Sequence, residues 1–135
     1  MTGRMRVELD FESVAKTVIV RCFGTFDLDG ARWTAEQITE GIAERPGPVD
    51  GTLIDLREAA FSFSEAEIRE LVDFVNRVDA EPRGRTAYLV PQDLEFGLMR
   101  MYQAYRDRTD PNVRVFRALD EALTWVADRE MKDSA

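Results

Sequence analysis

The sequence predicts an α/β domain: a five-stranded, mostly parallel sheet with one antiparallel edge strand and helices packed on its faces. The prediction rests on an opening pair of extended segments, on further short apolar segments separated by stretches of helical period, and on proline or glycine at most of the breaks. The resulting order is ββαβαβαβα. Such an order implies right-handed crossovers between parallel neighbours. No internal repeat or low-complexity segment interrupts it.

Met5-Arg-Val-Glu-Leu-Asp-Phe11 alternates apolar and polar residues, the period of a strand with one face on a core and one in water, and is expected at the sheet edge. Thr17-Val-Ile-Val-Arg-Cys-Phe23 is β-branched and more continuously apolar, as suits an antiparallel, better-buried neighbour. Asp27-Leu-Asp-Gly30 carries turn and N-cap chemistry. Ala31, Ala35, Ile38 and Ile42 then recur at helical spacing as far as Glu44. Trp33 falls off that stripe, roughly on the opposite side. Arg45-Pro-Gly-Pro-Val-Asp-Gly51 ends the helix, because proline lacks an amide hydrogen and glycine is flexible.

Thr52-Leu-Ile-Asp-Leu56 is predicted as a short third strand buried on both faces. Ser64-Glu-Ala-Glu67 matches a capping box, opening a helix with Ile68, Leu71, Val72, Val75 and Val78 on one stripe and its end before Glu81-Pro-Arg-Gly84. Thr86-Ala-Tyr-Leu-Val90 is the fourth strand. After Pro91-Gln-Asp93, a third helix places Leu94, Leu98, Met101, Tyr102 and Tyr105 on one face, with Phe96 and Met99 away from it. Beyond Asp110-Pro-Asn112, Val113-Arg-Val-Phe116 is the fifth strand. The last helix turns Leu119, Ala122, Leu123 and Val126 inward, and Asp120 and Glu121 in its first turn suit the helix dipole.

The 135 residues are expected to form a single domain, residues 1–135, with a frayed tail over about 130–135, and suffice for a core without disulfides or a structural metal. No apolar run approaches the roughly 20 residues that cross a bilayer. The N-terminal segment lacks the apolar centre of a signal peptide, and the single Cys22 lies in an apolar strand, so a reducing, cytoplasmic setting is expected. A net charge of −8 argues against nucleic acid and anionic membrane as partners, since affinity there comes from Lys and Arg neutralising phosphates. The chain has no histidine. The commonest general base, the commonest transition-metal ligand and every Ser-His or Cys-His pair are therefore missing.

The element order, with Leu53-Ile-Asp-Leu-Arg57 in the third strand, resembles the STAS-like proteins, and within them the SpoIIAA-like group also described as STAS/SEC14 domains. The resemblance is closest in Arg85-Thr-Ala-Tyr-Leu-Val-Pro91, Phe96-Gly-Leu-Met-Arg-Met101, Val113-Arg-Val-Phe116 and Asp120-Glu-Ala-Leu-Thr-Trp-Val126, and it covers nearly the whole chain. These are motifs of packing, so the resemblance implies a fold more strongly than an activity. Anti-sigma-factor antagonists carry a phosphorylatable serine in an Asp-Ser-Ser-Gly type motif where the helix after the third strand begins. Here that region reads Phe61-Ser-Phe-Ser-Glu65 and departs from the motif.

In open α/β sheets the usable crevice lies beyond the carboxyl ends of the parallel strands. Those ends carry Asp27 and Asp29, then Asp55 and Arg57, then Gln92 and Asp93, then Arg117. Separated carboxylates can hold a hard cation or accept a phosphoryl group. Helix capping by Asp29 and Asp93, and pairing of Asp55 with Arg57 or capping of a loop by Asp55, account for them better, so no metal and no cofactor is expected. Ser62 and Ser64 are candidates for a phosphosite at a helix N-terminus, with the capping box as the structural role of Ser64. Phe96, Met99 and Trp33 could form an apolar patch for a ligand, a lipid tail or a second copy, unless Phe61 and Phe63 cover it.

The expected function is that of a non-enzymatic, cytoplasmic, STAS-like regulatory or protein-interaction module. It would act through the loop before the second helix and the adjoining face of the third, on a protein partner or in a homodimer. The alternative is a small apolar-ligand or lipid binder resembling SEC14-type domains, with Trp33, Phe61, Phe63, Phe96 and Met99 lining its pocket.

Overall fold

A computed structural model of the chain describes residues 5–45, 49–78, 84–90, 93–106 and 112–127. The chain opens with the predicted hairpin of β1 (Arg6–Val14) and β2 (Thr17–Asp27), closed through Lys16 in the left-handed region at φ 59°. The register of β1 slips between Asp10 and Val14, where the Asp10 carboxylate accepts the Ser13 hydroxyl and the amides of Glu12 and Ser13. Those bonds, the Ser13 hydroxyl first, hold the Asp10 pKa down to about 2.

The sheet then continues through β3 (Gly51–Ser62), β4 (Arg85–Leu89) and β5 (Val113–Phe116) in the spatial order β1-β2-β3-β4-β5. β1 is antiparallel to β2 and every later neighbour is parallel. The connections α1 (Leu28–Ala43), α2 (Glu65–Val78) and α3 (Asp93–Arg106) each step to the next strand in the same direction. Right-handed crossovers therefore place all of them on one face of the sheet. α4 (Leu119–Ala127) follows the last strand and returns over the other face.

Two apolar cores result. The larger joins Val18, Val20 and Cys22 of β2, Ile54 and Leu56 of β3, and Tyr88 of β4 to the three helices on its face. The smaller packs Ile19, Leu53, Ala87 and Leu89 against Ala122 and Val126 of α4. At the amino end of the sheet, Gly51 lets α4 come close, since a Cβ there would stand 3.0 Å from the Val126 carbonyl oxygen. Arg85, also at that end, donates to the Trp125 carbonyl at 2.8 Å and stacks on the indole at 4.9 Å, so a cation closes the last turn of α4.

The third strand departs from the expectation. It does not stop at Leu56 but runs on to Ser62, paired with β2 alone after Asp55 meets Leu89, the last residue of β4. A bulge makes this possible. Between Arg21 and Phe23 of β2 one residue faces two of β3, which slips the alternation of β3 by one position. Leu53 and Asp55 face α4 while Ile54 and Leu56 face the larger core; beyond the bulge Ala59 and Phe61 take that inner side. A period-two reading loses phase at such a point and reports a loop.

α3 holds a second departure. Met99, expected off the core, is 0% exposed, as is Tyr102 one turn on, and Arg106 is 4% exposed. The buried stripe is 99, 102 and 106. A stripe drawn through apolar residues alone leaves Arg106 out, and the predicted face turns away from Met99.

Candidate functional site: a stepped rim and a cavity under the helices

Because β2 and β3 overrun β4 and β5, the carboxyl edge of the sheet is a step. Asp55 is level with Leu89 and Phe116, while Asp27 and Ser62 pair about 20 Å further along, at roughly 3.3 Å per residue. The expected common rim is therefore divided. The strand order also never reverses, so no topological switch point parts the connections to open a crevice there.

Each rim carboxylate whose side chain is described has a local partner. Asp27, not Asp29, is the N-cap of α1: it accepts the Gly30 amide at 2.7 Å. Asp29 lies exposed in the first turn, 3.7 Å from Arg32. Asp55, 8% exposed, takes Nε and Nη2 of Arg57 at 3.0 and 2.9 Å and the Arg57 amide at 3.1 Å. The bidentate fork raises the Arg57 pKa further. Burial, with the Asp55 charge adding to it, pushes the Cys22 thiol up to about 12. Asp93 opens α3; its side chain, Gln92 and the tail over 130–135 lie outside the described residues. Among the described residues no His, Cys, Asp or Glu group of metal-binding size gathers anywhere.

The capping box is present as read: the Ser64 amide donates to Glu67 Oε1 at 2.8 Å and the Glu67 amide to Ser64 Oγ at 3.2 Å. Phe61 and Phe63 turn inward and stack on Phe26, with ring centroids 5.3 and 5.4 Å away. Ser62, between them at the end of β3, points outward and is exposed. The step thus offers Ser62 and Ser64 on a base of packed aromatics.

The proposed apolar patch is not assembled. Met99 is core. Phe96 is half-buried, with the guanidinium groups of Arg117 and Arg100 at 5.3 and 5.9 Å from its ring. Trp33, 38% exposed, stands on α1, whereas Phe96 stands on α3, and α2 packs against both helices. Phe61 and Phe63 serve their own strand end rather than covering this patch.

A cavity of about 380 Å³ lies between the sheet and the helices, reaching from Thr52 and Thr86 at the amino ends of β3 and β4 to Phe26 near the carboxyl end of β2. Thr52 and Ile54 of β3 and Thr86 and Tyr88 of β4 form its floor. Ala35, Ile38 and Ile42 of α1, Val75 of α2, and Tyr102 and Arg106 of α3 form its walls. Tyr88 and Tyr102 meet hydroxyl to hydroxyl at 3.0 Å, and Arg106 Nη1 donates to the Tyr102 oxygen at 2.8 Å. None of Trp33, Phe61, Phe63, Phe96 and Met99 lines it. The only sequence signal for this space is a pair of threonines, Thr52 and Thr86, at the start of two largely apolar strands.

With this geometry in hand, the fold can be matched. No family model matches the sequence, and no curated protein does. Solved structures do match. An uncharacterized protein of the DUF3478 family with a SpoIIAA-like fold, from Shewanella loihica PV-4, is 13% identical over 91% of this chain and 94% of its own, with a TM-score of 0.57. An anti-sigma factor antagonist from Mycobacterium paratuberculosis is 19% identical over 93% of this chain and 97% of its own, with a TM-score of 0.60. The anti-sigma factor antagonist SpoIIAA in its unphosphorylated form is 17% identical over 88% and 94%, with a TM-score of 0.50. The chain has the SpoIIAA-like fold, as the resemblance read from its sequence implied. Among the described residues no helix is long and apolar enough to cross a membrane.

Proposed function

We propose that the chain is a STAS-like regulatory module that works in the cytoplasm by protein contact rather than by catalysis. The observation that carries this reading is the overhang of β2 and β3, which holds Ser62 and the start of α2 clear of the rest of the sheet edge. The Phe26, Phe61 and Phe63 cluster and the capping box make that projection rigid, so a partner would meet a preformed surface. Two of the structural neighbours are described as anti-sigma factor antagonists, a protein-binding role, which supports the same class. The chemistry of the chain favours it too. Cys22 is buried with its thiol at about 12, so it holds no thiolate at neutral pH, and the rim carboxylates Asp27 and Asp55 are engaged in capping and pairing.

A second copy of the chain is one partner such a surface could take, since an isologous contact needs a single self-complementary patch. The test is capture of binding partners by cross-linking, with light scattering for self-association. Ser62→Glu is expected to weaken the captured contact at least tenfold, and Thr124→Glu on the far face of the sheet to leave it unchanged. Equal loss in both variants, or in neither, would remove the Ser62 step from the reading.

A further inference from the structure

We propose that two copies of this chain join along the outer edge of β1, strand against strand and antiparallel, so that their two five-stranded sheets become one. Arg6, Val7 and Glu8 set the register of the seam. The contact is separate from the Ser62 step, because β1 follows β2 only as far as Phe23 and stops short of the Asp27 and Ser62 pair.

The two edges of the sheet are finished differently. β5 has four residues, and the Gln103 side chain of α3 accepts its Val115 amide at 3.0 Å, so that edge is short and closed by the chain itself. β1 has nine residues and, among the described residues, no strand on its outer side. Its far end is closed by the Asp10 carboxylate, which takes the amides of Glu12 and Ser13. From Arg6 to Asp10 the strand keeps an unbroken register with β2 and carries neither proline nor bulge, two of the usual guards of an exposed edge.

The charges on that stretch are complementary to a second copy. With a twofold axis at Val7, Arg6 stands opposite Glu8 of the second copy and Glu8 opposite its Arg6. On the helix side Val7 meets Val7, and Leu9 meets Met5. A slip of two residues either way sets Arg6 against Arg6 or Glu8 against Glu8, so charge fixes the register. Within one chain Arg6 lies over the Phe23 ring at 4.1 Å and pairs with Glu8, the two side chains being 62% and 52% exposed. An exposed pair of this kind is worth little, so exchanging it for the same pair across the seam costs little.

α1 suits the same seam. A Cβ at Gly30 would stand 2.7 Å from Met5 Cγ, and one at Gly41 would strike Leu9 Cδ1, so the two glycines let the helix lie close along β1. Arg32 turns to α2, 3.6 Å from Glu70. Trp33, about 100° further round the helix, is turned away from α2 and is 38% exposed. Strands lie about 4.8 Å apart, so a helix seated over β1 and β2 and its copy across the seam stand about 10–14 Å apart, a gap that two indoles can fill.

The test is sedimentation of the full chain at concentrations up to millimolar. The wild type is expected to form a dimer that dissociates on dilution. Arg6→Glu and Glu8→Arg each make the opposed charges across the seam alike, and each is expected to weaken self-association at least tenfold. An equal mixture of the two variants is expected to form a heterodimer as tight as the wild-type dimer, because every opposed pair is then of opposite sign. Both side chains are exposed, so the reversals leave the fold intact, and recovery in the mixture shows that they did. Ser62→Glu is expected to leave the dimer unchanged. The proposal is overturned if the wild type is a monomer throughout, if the single reversals associate as the wild type does, if their mixture stays monomeric, or if Ser62→Glu dissociates the dimer.

Discussion

Alanine is expected to act in opposite directions at Gly30 and Gly97, although both glycines lie in helices. Gly97 sits inside α3 on an exposed surface, and a Cβ built there meets nothing within 4 Å. Gly97→Ala therefore reports helix propensity alone, a gain of about 0.8–1 kcal/mol. At Gly30 a Cβ would stand 2.7 Å from Met5 Cγ, 2.8 Å from the Thr25 carbonyl oxygen and 3.1 Å from Asp27 Oδ1. The methionine end can swing aside. The carbonyl belongs to β2, and the carboxylate is the cap that accepts the Gly30 amide, so neither can move without loss. Overpacking of this kind costs about 1–3 kcal/mol and a weakened cap up to about 1 kcal/mol more, against a propensity gain below about 1 kcal/mol; the net is a loss of about 2 kcal/mol. Urea unfolding followed by tryptophan fluorescence measures both. The midpoint is expected to rise for Gly97→Ala and fall for Gly30→Ala with an unchanged slope, and Tm to rise by about 3 °C and fall by about 6 °C. A Gly30→Ala protein as stable as Gly97→Ala would refute the docking of α1 against the end of β2.

Two further predictions concern the candidate site and the buried thiol. Ser64→Ala is expected to cost about 1 kcal/mol through the lost cap, whereas Ser62→Ala stays within about 0.5 kcal/mol of wild type; denaturant midpoints of the pair check it, and equal costs would mean that the capping box is not formed. Cys22 has its pKa raised from 9.0 to about 12 in the folded chain. Its contribution to stability is therefore complete below pH 9 and lost as pH rises from 9 to 12, because only the unfolded thiol ionises over that window. Cys22→Ala is expected to lose stability less steeply than wild type between those pH values, and identical slopes would contradict the buried thiol. The native protein is likewise expected to resist a thiol reagent at pH 8 until it is unfolded.

The sequence by itself determined the elements whose signals are local. The strict alternation of Met5 to Phe11, the β-branched run from Thr17, the capping box at Ser64 and the stripe from Ile68 to Val75 all depend on neighbours a few residues away, and each element is present, although β1 runs past Phe11 to Val14 and β2 past Phe23 to Asp27. The element order followed, and with it the SpoIIAA-like fold. The length of β3 was not legible, because the bulge opposite Cys22 is set by pairing with a strand some thirty residues distant, and it breaks the only periodicity a single strand displays. The inward turn of Met99 was not legible either, since Arg106 is buried by what packs on α3 and not by its own polarity.

The candidate sites divide in the same way. Asp55 and Ser64 could be assigned pairing and capping roles because their partners lie within three residues, whereas the cap of α1, read as Asp29, falls to Asp27. Whether the rim was one surface depended on where each strand stops relative to the next. Whether the helices closed tightly on the sheet or left a space above Thr52 and Thr86 depended on the joint placement of α1, α2 and α3. Short-range chemistry specifies elements and their caps; register, strand overhang and cavities belong to contacts between residues far apart in the chain, and only the folded arrangement decides them.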